Sequence, residues 1–135
     1  MNNYFSALGV KRGLLASSLA ATLIFTAGCW DVSQSTNTPG ATAYADGQLV
    51  VTLPNHYDGV VSATEKSITQ LQFAQPEERK DAVSASFVTH TATGDRVEID
   101  ETNLDNTNTK VSIKVGPVGN QDMSDTILEK IKSHL

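Results

Sequence analysis

Lys110-Val111-Ser112-Ile113-Lys114-Val115-Gly116 carries the architecture of this chain. Val111, Ile113 and Val115 alternate with Lys110, Ser112 and Lys114, so a strand here has one apolar and one polar face. One-sided alternation of this kind belongs to an antiparallel sheet that buries a single face. Two earlier runs repeat the pattern. Val83, Ala85, Phe87 and Thr89 alternate with Ser84, Ser86, Val88 and His90, and Val97 and Ile99 alternate with Arg96, Glu98 and Asp100. Between them Ala92-Thr93-Gly94 fits a three-residue hairpin loop with Gly94 at positive φ, which sets Phe87 opposite Ile99 and Thr89 opposite Val97. The next connection, residues 102–109, is rich in Asn and Asp and reads as a longer polar loop. If Ile99 faces Val111, Asp100 lies opposite Lys110 and Arg96 near Lys114, exposed cross-strand charges that fix register more than they stabilise.

Downstream, Gly116 and Gly119 bracket a turn and Asn120 can cap a helix. Met123, Ile127, Ile131 and Leu135 recur every four residues, with Leu128 widening the stripe. Asp122 and Asp125 near its start and Lys130, Lys132 and His134 near its end suit the helix dipole. Upstream, residues 48–53 alternate as a first strand that Pro54 ends. Asn55 then caps a helix whose Tyr57, Val60, Val61, Thr64, Ile68 and Leu71 form one stripe, with Asp58 in its first turn. Gly59 weakens this helix and permits a close approach to the sheet. Residues 73–76 read as a short strand and residues 77–81 as a solvated loop. The expected order is β-α-β-β-β-β-α: an α+β two-layer sandwich, an antiparallel sheet of four to five strands with two helices on one face.

The first 29 residues carry a different signal. Lys11 and Arg12 precede an apolar run, residues 13–25, that is too short to span a bilayer but suits a secretory signal. Thr26-Ala27-Gly28-Cys29 resembles the bacterial lipobox, with Thr26 where Leu is usual. Residues 1–28 therefore read as a lipoprotein signal peptide and Cys29, the only cysteine, as the site of acylation. Residues 29–42, with the breaker Pro39-Gly40, read as a lipidated flexible tether with a reach of about 20 Å; its Trp30 reads as an aromatic at headgroup depth in preference to a residue docking onto the domain. Residues 43–135 form a single domain. Trp30, rather than Asp, after the cysteine suits the outer membrane by the sorting rules such proteins follow, with the domain facing the periplasm.

Cleavage before Cys29 leaves 8 of the 10 basic side chains and all 15 acidic ones, a net charge of −7. That field repels polyanions, so no nucleic-acid partner is expected. A lone cysteine forbids an intrachain disulfide.

A family of small bacterial lipoproteins of uncharacterised function is similar to this chain over residues 43–135. The resemblance rests on Ala43-Tyr44-Ala45-Asp46-Gly47-Gln48-Leu49, Thr93-Gly94-Asp95-Arg96-Val97, Lys110-Val111-Ser112-Ile113-Lys114-Val115-Gly116 and Ile127-Leu128-Glu129-Lys130-Ile131. These are glycines and core positions, so the resemblance implies a fold and says little about chemistry. Gln72 departs from it, standing where the family tends to have Gly after the helix. The topology is also similar to the helix-grip modules of an outer-membrane assembly lipoprotein, at the level of fold alone.

No catalytic constellation is recognisable. His56, His90 and His134 sit in different elements without the spacing of a metal site, so neither metal nor cofactor is expected. His90 reads as a solvated strand histidine. Glu98, Asp100 and Glu101 invite an acid–base reading, but Glu98 and Asp100 share a wet face where nothing drives their pKa values apart. Asn103-Leu104-Asp105-Asn106-Thr107-Asn108 lacks the central Gly and final Glu of an EF loop and reads as a polar hairpin. The expectation is a non-enzymatic module, held to the membrane by acyl chains on Cys29. It binds an envelope protein or a cell-wall component, with Glu98, Asp100, Lys110 and Lys114 as contacts or residues 48–53 as a strand edge. The alternative is a small apolar ligand carrier of helix-grip type, with Phe87 and Tyr57 in the cavity wall.

Overall fold

The computed structural model describes residues 38–135. Cys29, Trp30, the signal segment and the first part of the tether lie outside the described residues. The described chain runs β1 (Thr42–Ala45), β2 (Gln48–Leu53), α1 (Tyr57–Gln70), β3 (Glu77–Lys80), β4 (Ser84–His90), β5 (Arg96–Asp105), β6 (Asn108–Val115) and α2 (Gln121–Lys132). All six strands form one antiparallel sheet in the order β1-β2-β6-β5-β4-β3. The fold is thus α+β with two helices, as the alternation and stripes imply, but with six strands instead of four or five.

Both additional strands are edges. β1 begins at Thr42, inside the range assigned to the tether, and folds back on β2 through Asp46-Gly47, whose φ of 53° and 76° are those of a tight hairpin turn. The chain is tied to the sheet even earlier, for Gly40 N–H donates to the Thr52 carbonyl at 2.8 Å. At the other edge β3 is Glu77–Lys80, the run read as a solvated loop, whereas residues 73–76 form no strand. Every β3 side chain is exposed, so no burial pattern marks it; it is a strand only because its backbone pairs with β4. Its four consecutive charges guard the edge against pairing with another chain.

In the centre, Phe87 pairs with Ile99 and Thr89 with Val97, as the Gly94 hairpin requires (φ 90°). The β5–β6 register differs by two residues from expectation: Ile99 faces Ile113, Glu101 faces Val111, and Asp100 faces Ser112 instead of Lys110. The polar stretch is not a long loop. Both strands continue through it to a tight turn at Asn106-Thr107, with a bulge between Asn103 and Asp105, and Asp105 Oδ1 accepts the Thr107 N–H at 2.8 Å.

A single core joins the sheet to the helices. Phe87, Ile99 and Ile113 meet Val60 and Val61 of α1 and Ile127 and Ile131 of α2, all fully buried. No described helix is long and apolar enough to cross a membrane.

α2 is capped as its sequence implies, the Asn120 Oδ1 accepting the Met123 N–H at 3.1 Å. α1 is not. Its N-cap is His56, which makes no side-chain cap bond, and Asn55 instead offers its carbonyl to the Thr109 hydroxyl at 2.9 Å. Gly59 makes no close approach to the sheet either: a Cβ there would meet only Asn55 Oδ1, at 3.9 Å.

The C-terminus of α1 closes with the Phe73 N–H on the Ile68 carbonyl and the Gln72 N–H on the Thr69 carbonyl, the paired bonds of a Schellman motif. That motif requires Gln72 at φ 56°, the left-handed region where a Cβ is disfavoured. Gln72→Gly is therefore expected to stabilise the domain by about 0.5–1 kcal/mol, the strain relieved minus the entropy glycine gains when unfolded. Urea unfolding reads this as a higher midpoint at constant slope. An unchanged or lower midpoint would show that this residue carries no left-handed strain.

Candidate functional site

Alternation along β5 and β6 gathers the four residues singled out as contacts. Glu98 and Asp100 of β5 and Lys110 and Lys114 of β6 all project from the sheet face opposite to Ile99 and Ile113. The register sets Glu98 directly across from Lys114, Asp100 across from Ser112 and Thr102 across from Lys110. Glu98 Oε1 accepts from Arg96 Nε at 2.9 Å and lies 2.7 Å from Arg96 Nη2. Both partners are substantially exposed (58% and 38%), so the pair orients the carboxylate and adds little stability. A depression of about 270 Å³ opens beside it, lined by Arg96, Glu98, Lys114, Gly116 and Pro117. The result is a polar surface of interleaved sign.

The other candidates are scattered. His90 is exposed and pairs with Arg96 at the end of β4. His134 shares a hydrogen bond with Gln70 Oε1 at 2.9 Å. His56 lines a polar cleft of about 400 Å³ with Tyr57, Asp58, Asp81, Asn103 and Asp105. The carboxylates of Asp81 and Asp105 are already engaged by their own turns. Asp81 takes the Val83 and Ser84 N–H groups at 2.8 Å each, which hold its pKa below the usual carboxylate range. Asp105 is held low by the Asn108 side chain first and by Thr107 second. Among the described residues no group of three or more His, Cys, Asp or Glu side chains is arranged to hold a metal ion.

Phe87 lies in the core, and Tyr57 packs into it from the edge of the polar cleft beside His56. Phe87 is wholly buried and Tyr57 is 6% exposed, its hydroxyl donating to the Asp81 carbonyl at 3.1 Å.

One residue of consequence escaped the sequence reading in its proper role. Glu101 neighbours Glu98 and Asp100 in the chain, yet it lies on the opposite face with zero exposure. Thr64 Oγ1 of α1 donates to its Oε1, and Oε2 has no partner. Burial pushes its pKa up to about 7 against the pull of the Thr64 bond, with Glu65 raising it further and Lys80 opposing. Parity could have found it: Val97 and Ile99 are core residues, and the next odd position of the same strand is 101.

No curated protein matches this chain. From residue 13 to residue 134, however, it matches a family model described as a protein of unknown function, DUF3568. That match covers nearly the whole sequence, and the chain is a member of the DUF3568 family.

Proposed function

We propose that this protein is a lipid-anchored envelope lipoprotein whose domain faces the periplasm and binds an envelope protein or cell-wall component without catalysing a reaction. Acyl chains on Cys29 hold it to the membrane, by preference the outer one. Both helices cover one face of the sheet in a two-layer sandwich, and the other face is the binding surface. The observation that carries this reading is the register of β5 and β6, which sets Glu98 against Lys114 and places Asp100 and Lys110 on the same polar face. Such a surface of mixed sign selects partners by charge complementarity more than by buried area. The anchor rests on the apolar run ending at Thr26-Ala27-Gly28-Cys29, since two or more acyl chains bind a bilayer stably. The apolar carrier is disfavoured because Phe87, one of its two expected wall residues, is already packed on all sides, and the cleft that Tyr57 borders is otherwise lined by polar residues such as Asp58, Asp81 and Asn103.

The test is affinity capture from envelope extracts, comparing the wild-type chain with Glu98→Lys/Lys114→Glu. Exchanging the two charges keeps opposite signs across the register and inverts what a partner meets, but it removes the Arg96–Glu98 ion pair, so an unchanged urea midpoint is the control that the fold persists. Capture is expected to fall at least about tenfold, as like charges are brought face to face. An unchanged partner set would exclude this face. Mass spectrometry of the same preparation is expected to find acyl groups on Cys29, and their absence would overturn the anchor.

A further inference from the structure

Glu101 stands where the alternation of β5 calls for an apolar side chain. It follows Val97 and Ile99 on the core face, lies between Ala85 of β4 and Val111 of β6, and is covered so completely that none of its surface reaches water. Its one hydrogen bond reaches across to Thr64 of α1, and its second oxygen is unpartnered. A neutral carboxyl tolerates this setting; an anion does not, because a buried charge needs an opposite charge or several donors. The surroundings supply neither in sufficient measure. From α1 come Tyr57 and Glu65, from β3 Glu78 and Lys80, and the flanking Ala85 and Val111 do not titrate. Two carboxylates thus weigh against a single ammonium.

We infer that Glu101 is a proton-operated latch between α1 and the sheet: the neutral carboxyl lets α1 seat against β5, and losing the proton loosens that helix. Burial raises Glu101 to about 7, which sets the device to respond near neutral pH. The folded state holds this proton up to about 7, whereas the unfolded chain releases it near 4.5. The attachment of α1 is therefore strongest below 4.5, weakens as pH rises from 4.5 to about 7, and levels off above. The latch is a property of the folded domain and stands whether or not Cys29 is acylated.

Amide hydrogen exchange of the full chain at a series of pH values, corrected for intrinsic rates, tests it. In the wild type, protection of α1 amides is expected to fall by up to about tenfold per pH unit across that window. Glu101→Gln mimics the neutral acid and is expected to flatten the profile. Wild-type protection independent of pH, or a Gln variant with the same pH dependence, would overturn the latch. Should the variant fail to fold, carboxyl NMR of the wild type serves instead. A Glu101 midpoint at about 7 supports the latch, and one at the ordinary 4.5 removes it.

Discussion

Replacing Gly119 by alanine is expected to be among the most damaging single changes available to this domain. Gly119 follows β6 with φ at 87° and lies against Gly47 of the β1–β2 turn, itself at φ 76°. A Cβ on Gly119 would stand 2.2 Å from the Gly47 carbonyl oxygen, 2.3 Å from its Cα and 2.5 Å from its carbonyl carbon. The reverse holds as well: a Cβ on Gly47 would lie 2.3 Å from the Val118 carbonyl oxygen. Every obstructing atom is backbone, so no rotamer change relieves the clash. The two loops must part, and β1 is fastened to the domain chiefly through its pairing with β2. The left-handed backbone alone costs an alanine about 1–2 kcal/mol. With the displacement added, Gly119→Ala is expected to cost more than about 3 kcal/mol, much of the stability a domain of this size possesses.

Gly94 and Gly116 provide the internal control. Both have positive φ, at 90° and 71°, but a Cβ on either meets nothing within 4 Å. Alanine there is expected to show only the conformational penalty of about 1–2 kcal/mol. Equilibrium urea unfolding of the three variants separates the terms. If Gly119→Ala is no worse than Gly94→Ala, the two loops do not touch in solution.

The same contrast between pattern and contact explains how much could be read from the sequence. The α1 and α2 stripes, β2, β4, the Asn120 cap and the Gly94 hairpin are legible because each leaves a local trace: a period, a cap or a turn residue; the periods overrun only at Leu135, 44% exposed past the end of α2, and at Val83, 58% exposed before β4. β3 leaves none, for Glu77, Glu78, Arg79 and Lys80 are wet on both sides and its strand character resides wholly in backbone bonds to β4. The far end of β5 fails for a similar reason, and at the matching end of β6 the one buried residue, Thr109, is polar and so leaves no apolar period. Thr102, Leu104 and Asp105 are exposed, so the strands continue past the point where alternation fades, and the β5–β6 register slips by two. β1 was hidden by its company. Its Asp46-Gly47 is a strong hairpin signal, but the small residues before it resemble the tether they continue. Parity sets Glu98, Asp100, Lys110 and Lys114 on one polar face, as the register has them, and the same parity puts Glu101 on the core face, which its neighbourhood in the chain conceals.

Phe87 presents the second large effect, and it bears on function as well as stability. Leu49, Ile113, Ile99 and Phe87 form one continuous row across β2, β6, β5 and β4 on the core face, and each is at most 1% exposed. Truncating Phe87 to alanine removes a ring at the end of that row and leaves a void its rigid strand neighbours cannot close. The expected loss is about 3–5 kcal/mol, transfer and cavity contributions together. A void lined by apolar side chains stays dry and accepts a small apolar guest. Benzene is thus expected to raise the unfolding temperature of Phe87→Ala and to leave that of the wild type unchanged. This pattern identifies Phe87 as the plug of a closed core, which leaves a helix-grip carrier no room to work. The opposite pattern, a wild type stabilised by benzene and a variant costing less than about 1 kcal/mol, would mean that helices and sheet part readily at Phe87. Apolar ligand carriage would then replace the polar sheet face as the better account of what this fold is for.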